Sequence, residues 1–162
     1  MYKFVCLLVV ISYAAAEAPS RAERDEILEL HTKLRERVKP TARDMLKLVY
    51  CPMVERLAEK WVSQCTLEAP DASADPDYAR VGLNYEKVVG KKPTLTKIVR
   101  RWIKERKNYV YANNTCTGNC DHYTRMVWGW TNLLGCAINR CDNLQTTPRK
   151  PVHLVACMYK AR

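Results

Sequence analysis

The chain has 162 residues and a formal net charge of +10, which suit one basic domain better than several. Beyond its first 16 residues no stretch reaches the roughly 20 apolar residues that a transmembrane helix requires, which argues against an integral membrane protein. The charge favours sulfated glycans, anionic lipids or acidic proteins as partners without identifying one. No nucleic-acid-binding motif occurs, so nucleic acid is not an expected partner.

Residues 1–16 have the pattern of a cleaved secretory signal. Lys3 is the basic flank, an apolar run extends from Phe4 to Tyr13, and three alanines end at Ala16. We therefore predict cleavage after Ala16, a mature domain over residues 17–162, and a secreted, extracellular protein. The alternative is an N-terminal membrane anchor, but the apolar run is short for that purpose.

Cysteines in an exported chain are expected to form disulfides rather than to remain thiols or bind zinc. Seven remain after the predicted cleavage, and the odd number leaves one free or paired with another molecule. The count alone does not identify which one. The seven are Cys51, Cys65, Cys116, Cys120, Cys136, Cys141 and Cys157.

Two helices are predicted in the first half of the chain. The first begins after Ser20, whose hydroxyl can accept from the amide of Glu23 while the Glu23 carboxylate reaches back to the cap, and it ends before Pro40. The second opens with Pro52 at its first position.

A third helix is predicted from about Thr94 to Tyr109, with an apolar face over 95–103. Its remaining face is basic, which is either simply solvated or a site for an anionic partner such as a sulfated glycan. The basic residues are Lys97, Arg100, Arg101, Lys104 and Lys107.

Strands are predicted at 80–89, 133–139 and 152–159, so helices and strands alternate along the chain and the expected class is α/β or α+β. Between them, Asn113-Asn114-Thr115 is an N-x-T acceptor, which predicts glycosylation of Asn113 on a surface loop.

The segment DHYTRMVW at 121–128 closely resembles the signature of the CAP superfamily, which includes cysteine-rich secretory proteins, antigen five, plant pathogenesis-related proteins and helminth venom allergen-like proteins. Single-domain venom allergen-like proteins look most similar. The resemblance implies an α/β fold, a three-layer α-β-α sandwich. Other landmarks agree in order, including His31-x-x-x-Arg35, Trp61-x-x-x-Cys65 and Trp102-x-x-Glu105.

The same resemblance implies a disulfide framework. It leaves Cys51 unpaired, either as a buried thiol or in an intermolecular disulfide. The implied bridges are Cys65–Cys141, Cys116–Cys120 and Cys136–Cys157.

Many CAP domains line a central cleft with two histidines and two glutamates that can hold a divalent metal. On this chain the later pair corresponds to His122 and Glu105, whereas Ala69 and Leu83 stand where the earlier pair belongs. A catalytic zinc takes about three protein ligands, so we expect no metal, no cofactor and no enzymatic activity. The alternative is a divalent-metal-dependent hydrolase with His122 as general base and Glu105 as its partner.

CAP proteins resembling this chain often bind lipids, some at a loop carrying an aromatic-x-aromatic-x4-aromatic pattern. Tyr109 and Tyr111 supply the first two rings here, but Cys116 occupies the third position. The tyrosines either bind a sterol or anchor the loop on the core. A fatty acid between the first and third helices is a second possibility. The leading expectation is thus a secreted, non-enzymatic CAP domain that binds a sterol, a fatty acid or an extracellular host ligand, with a host protein or sulfated glycan as the alternative partner.

Overall fold

The computed structural model describes residues 16–145 and 150–161, so all but the last residue of the predicted signal lies outside the described residues. The helices are α1 (Arg21–Glu36), α2 (Pro52–Ser63), α3 (Leu95–Ile103) and α4 (Asp121–Met126). The strands are β1 (Val49–Tyr50), β2 (Val81–Val89), β3 (Tyr109–Val110), β4 (Thr115–Cys116), β5 (Leu133–Arg140) and β6 (Val152–Lys160). Short 3₁₀ helices occupy Pro76–Tyr78, Lys104–Asn108, Tyr111–Asn113 and Asp142–Leu144.

One four-stranded sheet has the order β1-β5-β6-β2, with β1 parallel to β5 and the other neighbours antiparallel. Because side chains alternate along a strand, the two faces bury different sets of residues. Met158 of β6 packs with α2, while its neighbours Cys157 and Tyr159 pack in the core that includes α1, α3 and α4. Helices therefore cover both faces, and the expected three-layer α-β-α sandwich is confirmed.

No helix in the described part of the chain is long and apolar enough to cross a membrane.

Two predictions about the helices were wrong in detail. Ser20 does cap α1, since its hydroxyl accepts from the Glu23 amide at 3.2 Å. The Glu23 carboxylate, however, accepts from the Leu95 amide at 2.8 Å instead of reaching back to Ser20, because the free amides of the α3 N-terminus lie beside it. The third helix is also shorter than predicted: α3 ends at Ile103, and a 3₁₀ helix follows it to Asn108.

Three disulfides cross-link neighbouring elements of the fold. Cys65–Cys141 ties the segment after α2 to the end of β5, Cys136–Cys157 joins directly paired positions of β5 and β6, and Cys116–Cys120 links β4 to the start of α4. These are the pairs that the resemblance implied. Cys51 is half-buried and unpaired at the N-terminus of α2.

Gly135 lets α2 approach β5 closely. A Cβ atom at this position would lie 2.1 Å from the Glu55 backbone nitrogen and 2.5 Å from the Val54 carbonyl carbon. Both neighbours are backbone atoms of a helix, so neither can move aside as a flexible side chain would.

We predict that Gly135→Ala lowers the free energy of unfolding by about 3 kcal/mol, because α2 must shift away from the sheet. Denaturant titration measures the change. Gly129→Ala is the matched control, since its Cβ atom would meet nothing within 4 Å. Equal stability of the two variants would contradict the proposed close contact.

His31 is a fully buried member of α1. Its Nδ1 donates to the Ile27 carbonyl at 2.8 Å, so its Nε2 accepts from the Tyr159 hydroxyl at 2.9 Å. Burial is the main cause that lowers the pKa of His31 to about 4, with the Arg35 charge adding to the effect. The neutral imidazole therefore belongs to the folded state.

Because His31 is buried in its neutral form, we predict that the free energy of unfolding falls in acid. An unfolded His31 takes up a proton near pH 6.5 and the folded one only near pH 4, so unfolding binds a proton within that window and stability falls as pH falls through it. The loss is about 3 kcal/mol. Urea titrations of the parent and His31→Gln between pH 7 and 4 give the difference, which is expected to shrink toward acid. A constant difference across that range would refute the assignment.

Candidate functional site

Two clefts flank α4 and share Trp128 on their walls. The first, which we call the polar cleft, has a volume of about 740 Å³ and is lined by three of the four positions of the metal-binding pattern. Ala69, Leu83 and His122 all line it. The other lining residues are Pro70, Tyr78, Val81, Gly82, Tyr85, Glu86, Lys87, Asn119, Asp121, Arg125 and Trp128.

Glu105 caps α4 from another segment of the chain. Its Oε2 accepts from the backbone amides of His122 and Tyr123, each at 3.1 Å, and its Oε1 accepts from His122 Nδ1 at 2.6 Å. These are N-terminal amides that an α-helix leaves unpaired, and the residue at the cap, Cys120, provides no side-chain acceptor. Glu105 is thus committed to three hydrogen bonds within the fold.

Both nitrogens and one face of the His122 ring have partners within the protein. Nε2 faces the Tyr85 carbonyl oxygen at 3.1 Å, so both ring nitrogens are engaged with protein oxygen atoms. The indole of Trp102 stacks on the imidazole at 5.1 Å between ring centroids and an interplanar angle of 1°. The imidazole is therefore positioned by two hydrogen bonds and one ring contact.

The polar cleft does not fit a zinc ion. Alanine and leucine at 69 and 83 have no donor atom, and His122 would have to break a hydrogen bond to offer a nitrogen. Over residues 16–145 and 150–161 no three His, Cys, Asp or Glu side chains come together as a metal site. Glu86 makes an ion pair with Arg101 of α3 at 2.7 Å, on the sheet face opposite Leu83.

We predict that Glu105→Ala lowers the free energy of unfolding by about 2 kcal/mol, because two amides at the start of α4 lose their acceptor. The cost is expected to be the same in EDTA and in zinc chloride. Glu86→Ala is the control, since its half-exposed ion pair contributes at most about 1 kcal/mol. A larger Glu105→Ala cost in zinc than in EDTA would show that the carboxylate supports a metal.

The second cavity, which we call the aromatic cleft, has a volume of about 690 Å³. It lies between the segment 38–45 that follows α1, the tyrosines at the start of the β3–β4 hairpin, and the end of α4 with the turn after it. Five aromatic side chains line it: Tyr109, Tyr111, Tyr123, Trp128 and Trp130. Burial raises the pKa of Tyr123.

The two tyrosines predicted to bind lipid differ in their settings. Tyr109 is half-buried: its ring packs 5.8 Å from that of Tyr123 and its hydroxyl donates to Asn114 Oδ1 at 2.9 Å. Tyr111 is 64% exposed at the mouth of the cleft. Thus one tyrosine anchors the hairpin and forms a wall, while the other is free to contact a ligand.

The remaining predicted positions lie in the same hairpin. Cys116, at the third position of the aromatic pattern, pairs with Tyr109 across the hairpin and is bridged to Cys120, so it supplies no ring. Asn113 is exposed, and its Oδ1 accepts from the hydroxyl of Thr115 at 2.8 Å. A glycan on Asn113 would stand close to the mouth of the aromatic cleft.

Arg35 positions two walls of the aromatic cleft. Its guanidinium donates to the carbonyls of Trp128 at 2.8 Å and Leu46 at 2.7 Å, which joins the turn after α4 to the loop after α1. The amide of Leu46 donates to the Gly129 carbonyl at 3.0 Å and closes the same junction.

Trp128 and Trp130 are the site residues that sequence reasoning missed. Their exposed fractions are 55% and 72%, the latter the highest among the exposed large hydrophobic side chains of the described chain. The tryptophan of a family signature is easily assigned to the core. The available signal was Trp-Gly-Trp, two indoles flanking a glycine in a stretch without helical or strand periodicity.

The helix pair proposed as a fatty-acid channel is packed. Ile27 of α1 and Ile98 of α3 are both fully buried in one core cluster. Arg100 of α3 also forms an ion pair with Glu26 of α1 at 2.8 Å. The apolar faces of the two helices therefore serve as core.

The basic face of α3 is partly neutralised. Arg100 and Arg101 form ion pairs with Glu26 and Glu86, which leaves Lys97 and Lys104 as the cations of the shallow groove along this helix. This pairing weakens the attraction of the groove for a sulfated glycan.

Comparison with known proteins places this arrangement in a family. The model of the CAP cysteine-rich secretory protein family matches residues 28–159. Human cysteine-rich secretory protein LCCL domain-containing 1 is 36% identical over 154 residues, which cover 86% of this chain and 30% of that protein. Peptidase inhibitor 15 of Xenopus laevis is 31% identical over 158 residues, which cover 88% of this chain and 59% of that protein. The chain thus spans only part of the length of these relatives.

A solved structure shows the same fold. Venom allergen-like protein 4 of Schistosoma mansoni superposes with a TM-score of 0.65 at 23% identity, covering 88% of this chain and 90% of that one. Likeness at this level of identity concerns the fold alone.

Proposed function

The chain belongs to the CAP cysteine-rich secretory protein family, and we propose that it is a secreted, non-enzymatic member that binds a sterol or a similar small lipid in the aromatic cleft. The observation that carries the proposal is an open cavity of about 690 Å³ with five aromatic side chains on its walls. Sites for small amphipathic ligands have this size and are lined mainly by apolar and aromatic groups.

The ring chemistry suits an amphipathic lipid. The faces of Tyr109, Tyr123 and Trp128 offer flat apolar surface, while phenol hydroxyls and indole N–H groups can bond to the single polar end of a sterol. Because Tyr109 and the turn at Trp128 are fixed by hydrogen bonds, little ordering is needed when a ligand enters. The packed α1–α3 interface supports the aromatic cleft over a channel between those helices.

The hydrogen bonds of His122 and Glu105 at the polar cleft support a protein without enzymatic activity. A hydrolase needs a nucleophile or a metal-activated water beside a general base. Both nitrogens of His122 and both oxygens of Glu105 make hydrogen bonds within the fold. These contacts support a structural role for the pair.

Secretion is supported by the chemistry of the cysteines and by the family. Three disulfides are stable in an oxidising compartment and rare in the cytosol. The relatives' names include a cysteine-rich secretory protein.

Binding of radiolabelled cholesterol to the purified protein in vesicle-free solution tests the proposal. We expect saturable binding, weakened at least tenfold by the double substitution Tyr109→Ala and Tyr111→Ala, because both rings contact the ligand. Tyr85→Ala is the matched control: it removes a tyrosine on the wall of the polar cleft and leaves affinity unchanged. Raising the salt concentration is expected to have little effect on binding.

Two results would overturn this function. One is no cholesterol binding by the parent protein, and the other is equal loss of affinity in Tyr85→Ala and in the double variant. Circular dichroism of each variant separates a lost contact from a lost fold.

A further inference from the structure

Three exposed rings surround the mouth of the aromatic cleft. Tyr111, Trp128 and Trp130, which we call the aromatic rim, are exposed by 64%, 55% and 72%. Grouped exposed apolar side chains of this kind mark an interaction surface rather than ordinary scatter. Tyrosine and tryptophan are the residues that favour the boundary between lipid headgroups and acyl chains, because each ring has an apolar body and a polar atom.

Hydrogen bonds fix the backbone that carries the two indoles of the rim. The carbonyls of Trp128 and Gly129 accept from the Arg35 guanidinium at 2.8 and 3.4 Å, and the Gly129 carbonyl also accepts from the Leu46 amide at 3.0 Å. The turn that carries both indoles is therefore pinned, and Leu46 beside it is itself 44% exposed. The rim projects from a fixed backbone.

Positive charge accompanies the rim. Lys39 and Arg43 are exposed on the same cleft, and Lys47 follows the exposed Leu46; Asp44 is the acidic residue among the cleft walls. None of the three cations forms an ion pair within residues 16–145 and 150–161, unlike the two arginines of α3. Exposed indoles beside unpaired cations are complementary to a bilayer with acidic headgroups.

We infer that the aromatic rim docks the protein on an anionic lipid bilayer. Trp128 and Trp130 enter the headgroup region, and Lys39 and Arg43 lie over the acidic headgroups. The mouth of the aromatic cleft then faces the membrane, where a lipid could pass between bilayer and cleft. Docking stands on the rim and its charges alone and does not require that the cleft be occupied.

The positions of the four tryptophans provide the readout. Trp61 and Trp102 are buried, with exposed fractions of 0% and 1%, so a change in fluorescence on adding vesicles reports on Trp128 and Trp130. With phosphatidylcholine vesicles containing phosphatidylserine we expect a blue shift and quenching by lipids brominated near the headgroup. Phosphatidylcholine alone is expected to give a much weaker response, and high salt to reduce the response to the acidic vesicles.

Variants locate the surface. Trp130→Ser is expected to weaken vesicle binding at least tenfold, as is the double change Lys39→Gln and Arg43→Gln, from the contribution of each basic residue near an anionic surface. The double change Lys97→Gln and Lys104→Gln on α3 removes the same charge elsewhere and is the matched control. It should leave vesicle binding unchanged.

The failures of the two proposals can be told apart. A parent protein that binds cholesterol in solution but gives no fluorescence shift with acidic vesicles overturns docking and leaves the cleft function standing. A parent protein that binds vesicles without binding cholesterol supports docking and overturns the cleft function. Equal loss of vesicle binding in the α3 control and in Lys39→Gln/Arg43→Gln would mean that net charge alone causes binding, and it would overturn the docking proposal. The proposal would also be overturned if the rim bound a protein and no vesicles.

Discussion

The hydrogen bonds of the buried Arg35 guanidinium are the interaction on which the walls of the aromatic cleft depend. It is 6% exposed, and burial lowers its pKa to about 10, which leaves it charged at neutral pH. A buried charge is tolerated only when its donors are satisfied, and here backbone carbonyls from the end of α4 and from two loops satisfy them. These loops have little regular structure of their own. The carbonyls belong to Leu46, Met126, Trp128, Gly129 and Thr131.

His31, a second buried side chain of α1, is linked by hydrogen bonds to the walls of the polar cleft. Four residues before Arg35, and so about one turn away, His31 accepts from the Tyr159 hydroxyl, which in turn accepts from Asn84 Nδ2 at 3.3 Å. The Asn84 amide also donates to the His122 carbonyl at 3.0 Å, and its oxygen accepts from Arg125 at 2.7 Å. The start of α4 is thus bonded through the sheet to α1. Every polar group in this chain of contacts has a structural partner before any ligand is considered.

Sequence patterns predicted what depends on local geometry. Ser20 before an apolar-periodic run and Pro52 at a first turn marked where two helices begin, and short β-prone runs marked β2, β5 and β6. The Glu23 error has a different origin: the competing donor, the Leu95 amide, comes from a segment 72 residues away. No local rule contains that information.

The candidate site was predictable only in part for the same reason. The signature located His122, the landmark Trp102-x-x-Glu105 located Glu105, and the missing donors at positions 69 and 83 could be read from the sequence directly. That Glu105 serves as the cap of α4 depends on the 3₁₀ segment after α3 lying against the start of α4, a tertiary contact. Whether an indole is buried or exposed likewise depends on what the rest of the chain covers. The apolar periodicity of the third helix placed Trp102 in the core, but no such pattern surrounds Trp130, so its 72% exposure came only from the tertiary structure.

The two clefts share Trp128 but differ in what they leave unsatisfied. At the polar cleft, His122 and its partner Glu105 already make hydrogen bonds within the fold, so a ligand that bound either side chain would have to displace those bonds and compensate for the free energy lost. In the aromatic cleft, Tyr111 and Trp130 expose apolar surface that the fold has not buried, and covering it would release free energy of about 25 cal/mol per Å². Because Arg35 already fixes the backbone of the walls, ordering them on binding costs little of this free energy. The physical chemistry of the residues present therefore favours the aromatic side of α4 over the polar cleft as the site for the proposed lipid.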